Sequence, residues 1–261
     1  MKRVYLSEIK QLPHLLIEKL SQILREDLMF DSNAPLPTLE EMKQFIDRHD
    51  NMQCGYYFGA EGILPCRLWD YTRIVAAGAR KAVLPAGIFK RDDPTIPYGP
   101  VSFASSAYSM YRSRCDRFLR VLLVAIISVV GVPPRITEVI PLQYANTATQ
   151  ERSVILEDGA VLLVMYYNKT NANSGKLICI IRRLPFNLGR LLVTYLTACI
   201  GFQAYLESIQ KAPQVLNYQL FPNILAERQN MGLDSFCCRH QSARWAYNAF
   251  RENITPTFSR C

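Results

Sequence analysis

Residues 152–184 read RSVILEDGAVLLVMYYNKTNANSGKLICIIRRL. Arg152–Glu157 is a short apolar run rich in β-branched residues, and Asp158-Gly159 is a strong two-residue hairpin signal. Ala160–Lys169 continues as a second strand. Asn171–Gly175 supplies turn residues, and Lys176–Leu184 reads as a third strand that Pro185 ends. The stretch therefore predicts a three-stranded antiparallel sheet.

The sequence on either side has a helical period. Leu188–Tyr205 predicts a helix after the sheet, and residues 233–252 a last one. Before the sheet, Ser105–Val130 predicts a long helix stopped by Gly131-Val-Pro-Pro. Its apolar stretch Val121–Val132 is too short for a bilayer, which takes about 20 residues, so it reads as a buried core helix. Leu15, Leu16, Leu20, Ile23 and Leu24 recur at helical spacing near the start. Thr38-Leu-Glu-Glu is a helix-start pattern with acidic residues in its first turn, and Trp69–Val83 predicts one more helix. Between the halves, Phe89–Val101 (FKRDDPTIPYGPV) carries three prolines and a glycine and reads as a linker. The expected architecture is α+β and mainly helical. A helical N-terminal domain (1–88) and a linker (89–101) precede a second domain (102–261) with the small sheet.

The 261 residues are 49% hydrophobic and 20% charged, enough to bury a core and against wholesale disorder. The net charge of +8 lies mostly in residues 119–261, so a polyanionic partner is sought there. The first twenty residues hold Glu8, Pro13 and Glu18 where a secretory signal needs an apolar run. No phosphate-loop pattern and no cluster of acidic metal ligands occurs. The 8 cysteines form no C-x-x-C pair and read as free thiols. Cys237, Cys238 and His240 lack a second ligand pair, so no metal or cofactor is expected.

Four features of the second half stand in a telling order. Arg135-Ile-Thr-Glu138-Val-Ile-Pro-Leu142 follows the helix-ending Gly-Val-Pro-Pro. Tyr167-Asn-Lys169-Thr170 ends the second strand, and Leu184-Pro185 ends the third. Leu220-Phe221 precedes Cys238-Arg239-His240 on the last helical stretch. Singly, each has an ordinary role: an i,i+3 ion pair for Arg135 and Glu138, a solvated hairpin lysine, a surface helix arginine. In this order, over about residues 105–250, they resemble the catalytic domain of the tyrosine (phage-integrase-like) recombinases. The nearest likeness is to the recombinase-like region of fungal crypton elements and of telomere-linked RecQ-type helicases.

The resemblance implies double-stranded DNA as partner, a nuclear location, self-association on DNA and no membrane. It implies a clamp in which Arg135 and Arg239 hold the scissile phosphate, since guanidinium is planar, always charged and bidentate. Lys169 would protonate the leaving 5′ oxygen, His240 would help position the phosphate, and Glu138 would brace Arg135 or its helix. Two departures stand out. Phe236 occupies the position of the family's second-box histidine, and the sequence closes at Cys261, short of where the family's tyrosine lies. No nucleophile is therefore assigned, and the implied activity is DNA binding without cleavage in cis. Active breaking and rejoining by a longer chain, or a protein-interaction role on the same fold, are the alternatives. Weaker DNA-backbone candidates are Lys176, Arg182, Arg183 and Arg244. Arg182 and Arg183 alternate across a strand, so one of them faces solvent. Arg190 and Arg251 read as solvated helix residues.

Overall fold

The computed structural model describes residues 6–59, 71–96, 98–130, 134, 136–165, 179–210 and 218–222. Helix α1 spans Leu6–Gln22 and runs on into a wider, π-type stretch, Ile23–Leu28. Leu16, Leu20, Ile23, Leu24 and Leu28 are buried along one side, whereas Leu15 lies on the outer face. Helix α2, Leu39–Gln44, opens with a capping box. The Glu41 amide donates to Thr38 Oγ1 at 3.3 Å, and the Thr38 amide donates to Glu41 Oε2 at 2.7 Å. This reciprocal pair satisfies donors that the first helical turn leaves open. Helix α3 spans Tyr71–Ala79, inside the range predicted for it.

The stretch read as a linker is a hairpin. Strands β1 (Phe89–Arg91) and β2 (Val101–Phe103) pair antiparallel, with Phe89 opposite Phe103. Pro94, Gly99 and Pro100 lie in the connection, where their backbone preferences are tolerated. The hairpin joins the core through aromatic contacts. Phe89 meets Phe30 edge-on at 5.5 Å between centroids and Phe103 at 5.3 Å. Tyr111 and Phe202 complete the cluster, 4.7 Å apart. One continuous apolar core thus runs from Leu16 through this hairpin to Phe221.

Helix α4, Ala107–Val129, is the central rod. Its residues Val121–Ile126 are all buried, as an all-round apolar run requires. It packs against α1 on one side and α7, Ile200–Ile209, on another. The short helix α5, Ile136–Val139, follows. Strands β3 (Val154–Glu157), β4 (Ala160–Met165) and β5 (Ile180–Arg183) form the expected antiparallel sheet in the order β3-β4-β5. The turn between β3 and β4 is built on Asp158 and Gly159, with φ of 46° and 73°, the left-handed pair that a two-residue hairpin turn demands. Helix α6, Phe186–Thr194, starts at Pro185 and lies over β4. A π-type segment, Tyr195–Cys199, joins it to α7. The helix predicted over 188–205 is thus longer at both ends, while that over 233–252 falls outside the described residues. Among the described residues no helix is long and apolar enough to cross a membrane.

A polar seam fixes the loop after α2 to the sheet. The Arg152 side chain is 4% exposed and its Nη2 pairs with fully buried Asp47 Oδ1 at 2.7 Å. The same nitrogen donates to the Arg48 carbonyl at 3.0 Å, and the guanidinium lies 4.8 Å over the Tyr56 ring. Asp47 Oδ2 accepts the Leu156 amide at 2.9 Å. Leu156 faces Val161 of β4 across the ladder, and Asp47 supplies an acceptor on the free edge of β3. Asn146 ties in the rest, donating through Nδ2 to the Asn51 carbonyl at 2.7 Å and accepting the Arg152 amide at 2.9 Å. A buried charge is tolerated only when paired and hydrogen-bonded, and this one is both.

Candidate nucleic-acid interface

Glu138 of the first box sits on α5 and is 9% exposed. It lines a recess of about 310 Å³ together with Leu142, Gln150, Ser153 and Met165. The recess is bounded by two of the motif-bearing segments. Arg135 lies three positions before Glu138 in the chain, and Lys169 four positions after Met165 at the end of β4. Both fall outside the described residues, as do Lys176, Arg239, His240 and Arg244.

The run that leads toward the second box comes to the same neighbourhood. Gln143 and Gln219 form an antiparallel bridge. The Leu220 amide donates to the Leu142 carbonyl at 2.8 Å, and the Tyr144 amide donates to the Tyr218 carbonyl at 2.9 Å. Leu220 and Phe221 are each 1% exposed, so apolar burial holds this strip in place. The backbone thus gathers three separate segments around Leu142: the end of the first box, the far end of β4 and the run before the second box. The third-strand exit, Leu184-Pro185, is placed by the sheet. The Leu184 amide donates to the Val161 carbonyl at 2.9 Å, and Pro185 starts α6.

The two β5 arginines part company. Arg183 is exposed, opposite Leu162. Arg182, opposite Leu163, is half-buried, and its Nη1 donates to the Val130 carbonyl at 3.0 Å. A cation at the last carbonyls of a helix satisfies them and complements the helix dipole. Arg182 therefore caps α4 through one guanidinium nitrogen, and Arg183 is the one that faces solvent.

The described thiols and phenols near the core are not primed for attack. Burial pushes the Cys199 thiol up to about 12, and the Cys115 thiol is raised well above its ordinary value by the same cause. Burial likewise raises Tyr111 and Tyr195 strongly, and Tyr57 and Tyr144 as well. A nucleophile needs the opposite shift or an adjacent base. No group of three metal-ligating side chains occurs among the described residues.

The most buried cation among the described residues, Arg152, escaped the sequence reading. It precedes a strand as many surface arginines do, and its counter-ion Asp47 is distant in sequence, so no local pattern marks the pair. Compared with known family models, curated proteins and solved structures, the chain matches none.

Proposed function

We propose that the chain is a DNA-binding, recombinase-derived protein, with Arg135, Lys169, Arg239 and His240 as its phosphate clamp. The observation that supports this reading is the convergence at Leu142. The chain leaves the recess toward Arg135 on one side and toward Lys169 on the other. The strip paired to Leu142 and Tyr144 leads on to Arg239 and His240. Residues far apart in sequence need such a convergence to act on one phosphate. Arg183, exposed on the edge strand, extends the basic surface beside it. A nuclear location and self-association on DNA go with this reading.

Binding to a duplex then weakens steeply with salt, because each neutralised phosphate releases counterions. Fluorescence anisotropy with a labelled duplex over a salt series measures this. Arg135→Ala and Arg239→Ala are each expected to lower affinity and to flatten the log–log salt slope by about 0.9 per lost phosphate contact, with an unchanged circular-dichroism spectrum. Binding that is absent, independent of salt, or retained in the folded double variant overturns the reading. Incubation with a nicked duplex, followed by denaturing electrophoresis, separates binding from strand cleavage, since only cleavage leaves a covalent protein–DNA adduct.

A further inference from the structure

The two edges of the three-stranded sheet differ. Along β3 the outward backbone groups are occupied: the Leu156 amide donates to Asp47 Oδ2 at 2.9 Å and the Val154 amide to the Gln143 carbonyl at 3.1 Å. Strand β5 forms the other edge. The Leu184 amide donates to the Val161 carbonyl of β4, and backbone groups along an antiparallel strand alternate in direction. Those of Ile180 and Arg182 therefore also turn toward β4, and those of Ile181 and Arg183 turn away from it. Among the described residues nothing pairs with this edge.

The side chains of the same two residues share the outer face of the sheet, Ile181 opposite Val164 and Arg183 opposite Leu162. Edge strands are ordinarily blunted by charge or by a cover. Arg183 supplies charge, but Ile181 is 62% exposed and offers the apolar surface that a partner buries. Phe186, at the start of α6, is 37% exposed and adds a ring just past the strand. The charge of this stretch is one-sided. From Ala160 to Leu206 the sequence holds Lys169, Lys176, Arg182, Arg183 and Arg190 and no Asp or Glu.

Outward N–H and C=O groups in alternation suit main-chain pairing with an added strand. A DNA phosphate backbone gives those carbonyls no donor and gains nothing from Ile181. A second copy on the same edge brings arginines of β5 against arginines of β5, and like charges facing across strands destabilise the pair. We propose that the open edge of β5 takes an extended acidic segment of a partner protein as a fourth strand. In the antiparallel sense, the more stable of the two, an acidic residue of the partner meets Arg183, and an apolar residue two positions later meets Ile181. The proposal does not depend on the clamp at Arg135.

The probe is a fluorescein-labelled peptide with capped ends, Thr-Glu-Thr-Val-Thr-Glu-Thr-Val, titrated with the full chain and followed by anisotropy. Saturable binding is expected, with the peptide that carries Lys for Glu held about tenfold more weakly. Arg183→Glu is expected to reverse that preference, which the loss of a merely structural arginine does not do. Ile181→Pro removes an outward N–H and no ladder bond, a change that edge strands tolerate. It is expected to abolish peptide binding while the circular-dichroism spectrum and the duplex affinity stay unchanged. If that variant fails to fold, the charge reversal at Arg183 decides. Amide exchange at Ile181 and Arg183 is expected to be fast in the free chain and slowed by the peptide. No binding, equal affinity for the two peptides, or amides already protected in the free chain by a segment of its own or by a second copy overturns the proposal. Duplex affinity lost in folded Ile181→Pro assigns the edge to DNA and overturns it as well.

Discussion

The β3–β4 hairpin closes through Asp158 and Gly159, both at positive φ, while β1 and β2 are joined by the long run Asp92–Pro100. The first pairs four residues a side, from Val154–Leu163 to Glu157–Ala160; the second pairs three. In the first, the local chain already favours the turn and the alternation of faces. The second lacks a two-residue turn; its connection holds local bonds, such as the Thr95 amide to Asp93 Oδ1 at 2.8 Å, but its strands are fixed to the core by Phe89 and Phe103, which fit the cluster of Phe30, Tyr111 and Phe202. Local turn chemistry builds one hairpin and tertiary burial builds the other.

Phe89→Ala puts that contrast to its hardest test. It removes a ring that is 5% exposed from the centre of the aromatic cluster, a change that costs about 4 kcal/mol. Urea unfolding measures the loss. Amide exchange is expected to quicken first at residues 89–103, with the amides of 154–165 still protected. A loss under about 1 kcal/mol, or equal weakening of both hairpins, would show that β1–β2 has local stability of its own.

The sheet hairpin is not wholly local either, because Asp47 holds the edge of β3 and the Arg152 charge. Asp47→Ala leaves Arg152 buried without its counter-ion and is expected to cost about 3 kcal/mol. An Asp47→Leu, Arg152→Met double variant is expected to recover much of this, since an apolar pair strands no charge. If the single variant unfolds no more readily than wild type, the polar seam contributes nothing to the sheet.

The same distinction explains what could be read in advance. The sheet was legible because Asp158-Gly159 and the β-branched runs act over a few residues. So were α4, from its unbroken apolar run, and the start of α2, from Thr38 and Glu41. The β1–β2 hairpin was hidden, since prolines in a connection look the same whether or not aromatic rings pin its ends. Within the candidate site, the motif order Arg135, Lys169, Arg239-His240 is a sequence property. Which cation faces what is not. Arg182 caps α4 and Arg152 is buried on Asp47, each through a partner supplied by a distant segment.

Gly159→Ala sharpens the local half of the contrast. Gly159 sits at φ +73°, and a Cβ there would come within 3.1 Å of Leu39 Cδ1 and Lys43 Cγ. A left-handed position disfavours any side chain, so a cost of about 1–2 kcal/mol is expected in the urea midpoint, with both hairpins unfolding together. If Ala is neutral, the turn is set by α2 rather than by its own backbone.

The nearness of Leu39 and Lys43 to the space beside Gly159 also puts α2 next to the turn, which leads to the smallest effect. Thr38→Ala removes the side-chain acceptor of the Glu41 amide and half of the capping box. Such a loss costs about 1 kcal/mol at an exposed helix start. If α2 supports the turn, amide exchange at residues 157–160 quickens along with that of 39–44, although Thr38 lies in neither strand. If only 39–44 respond, the β3–β4 turn stands on Asp158 and Gly159 alone. The local account of that hairpin then holds without help from the helix above it.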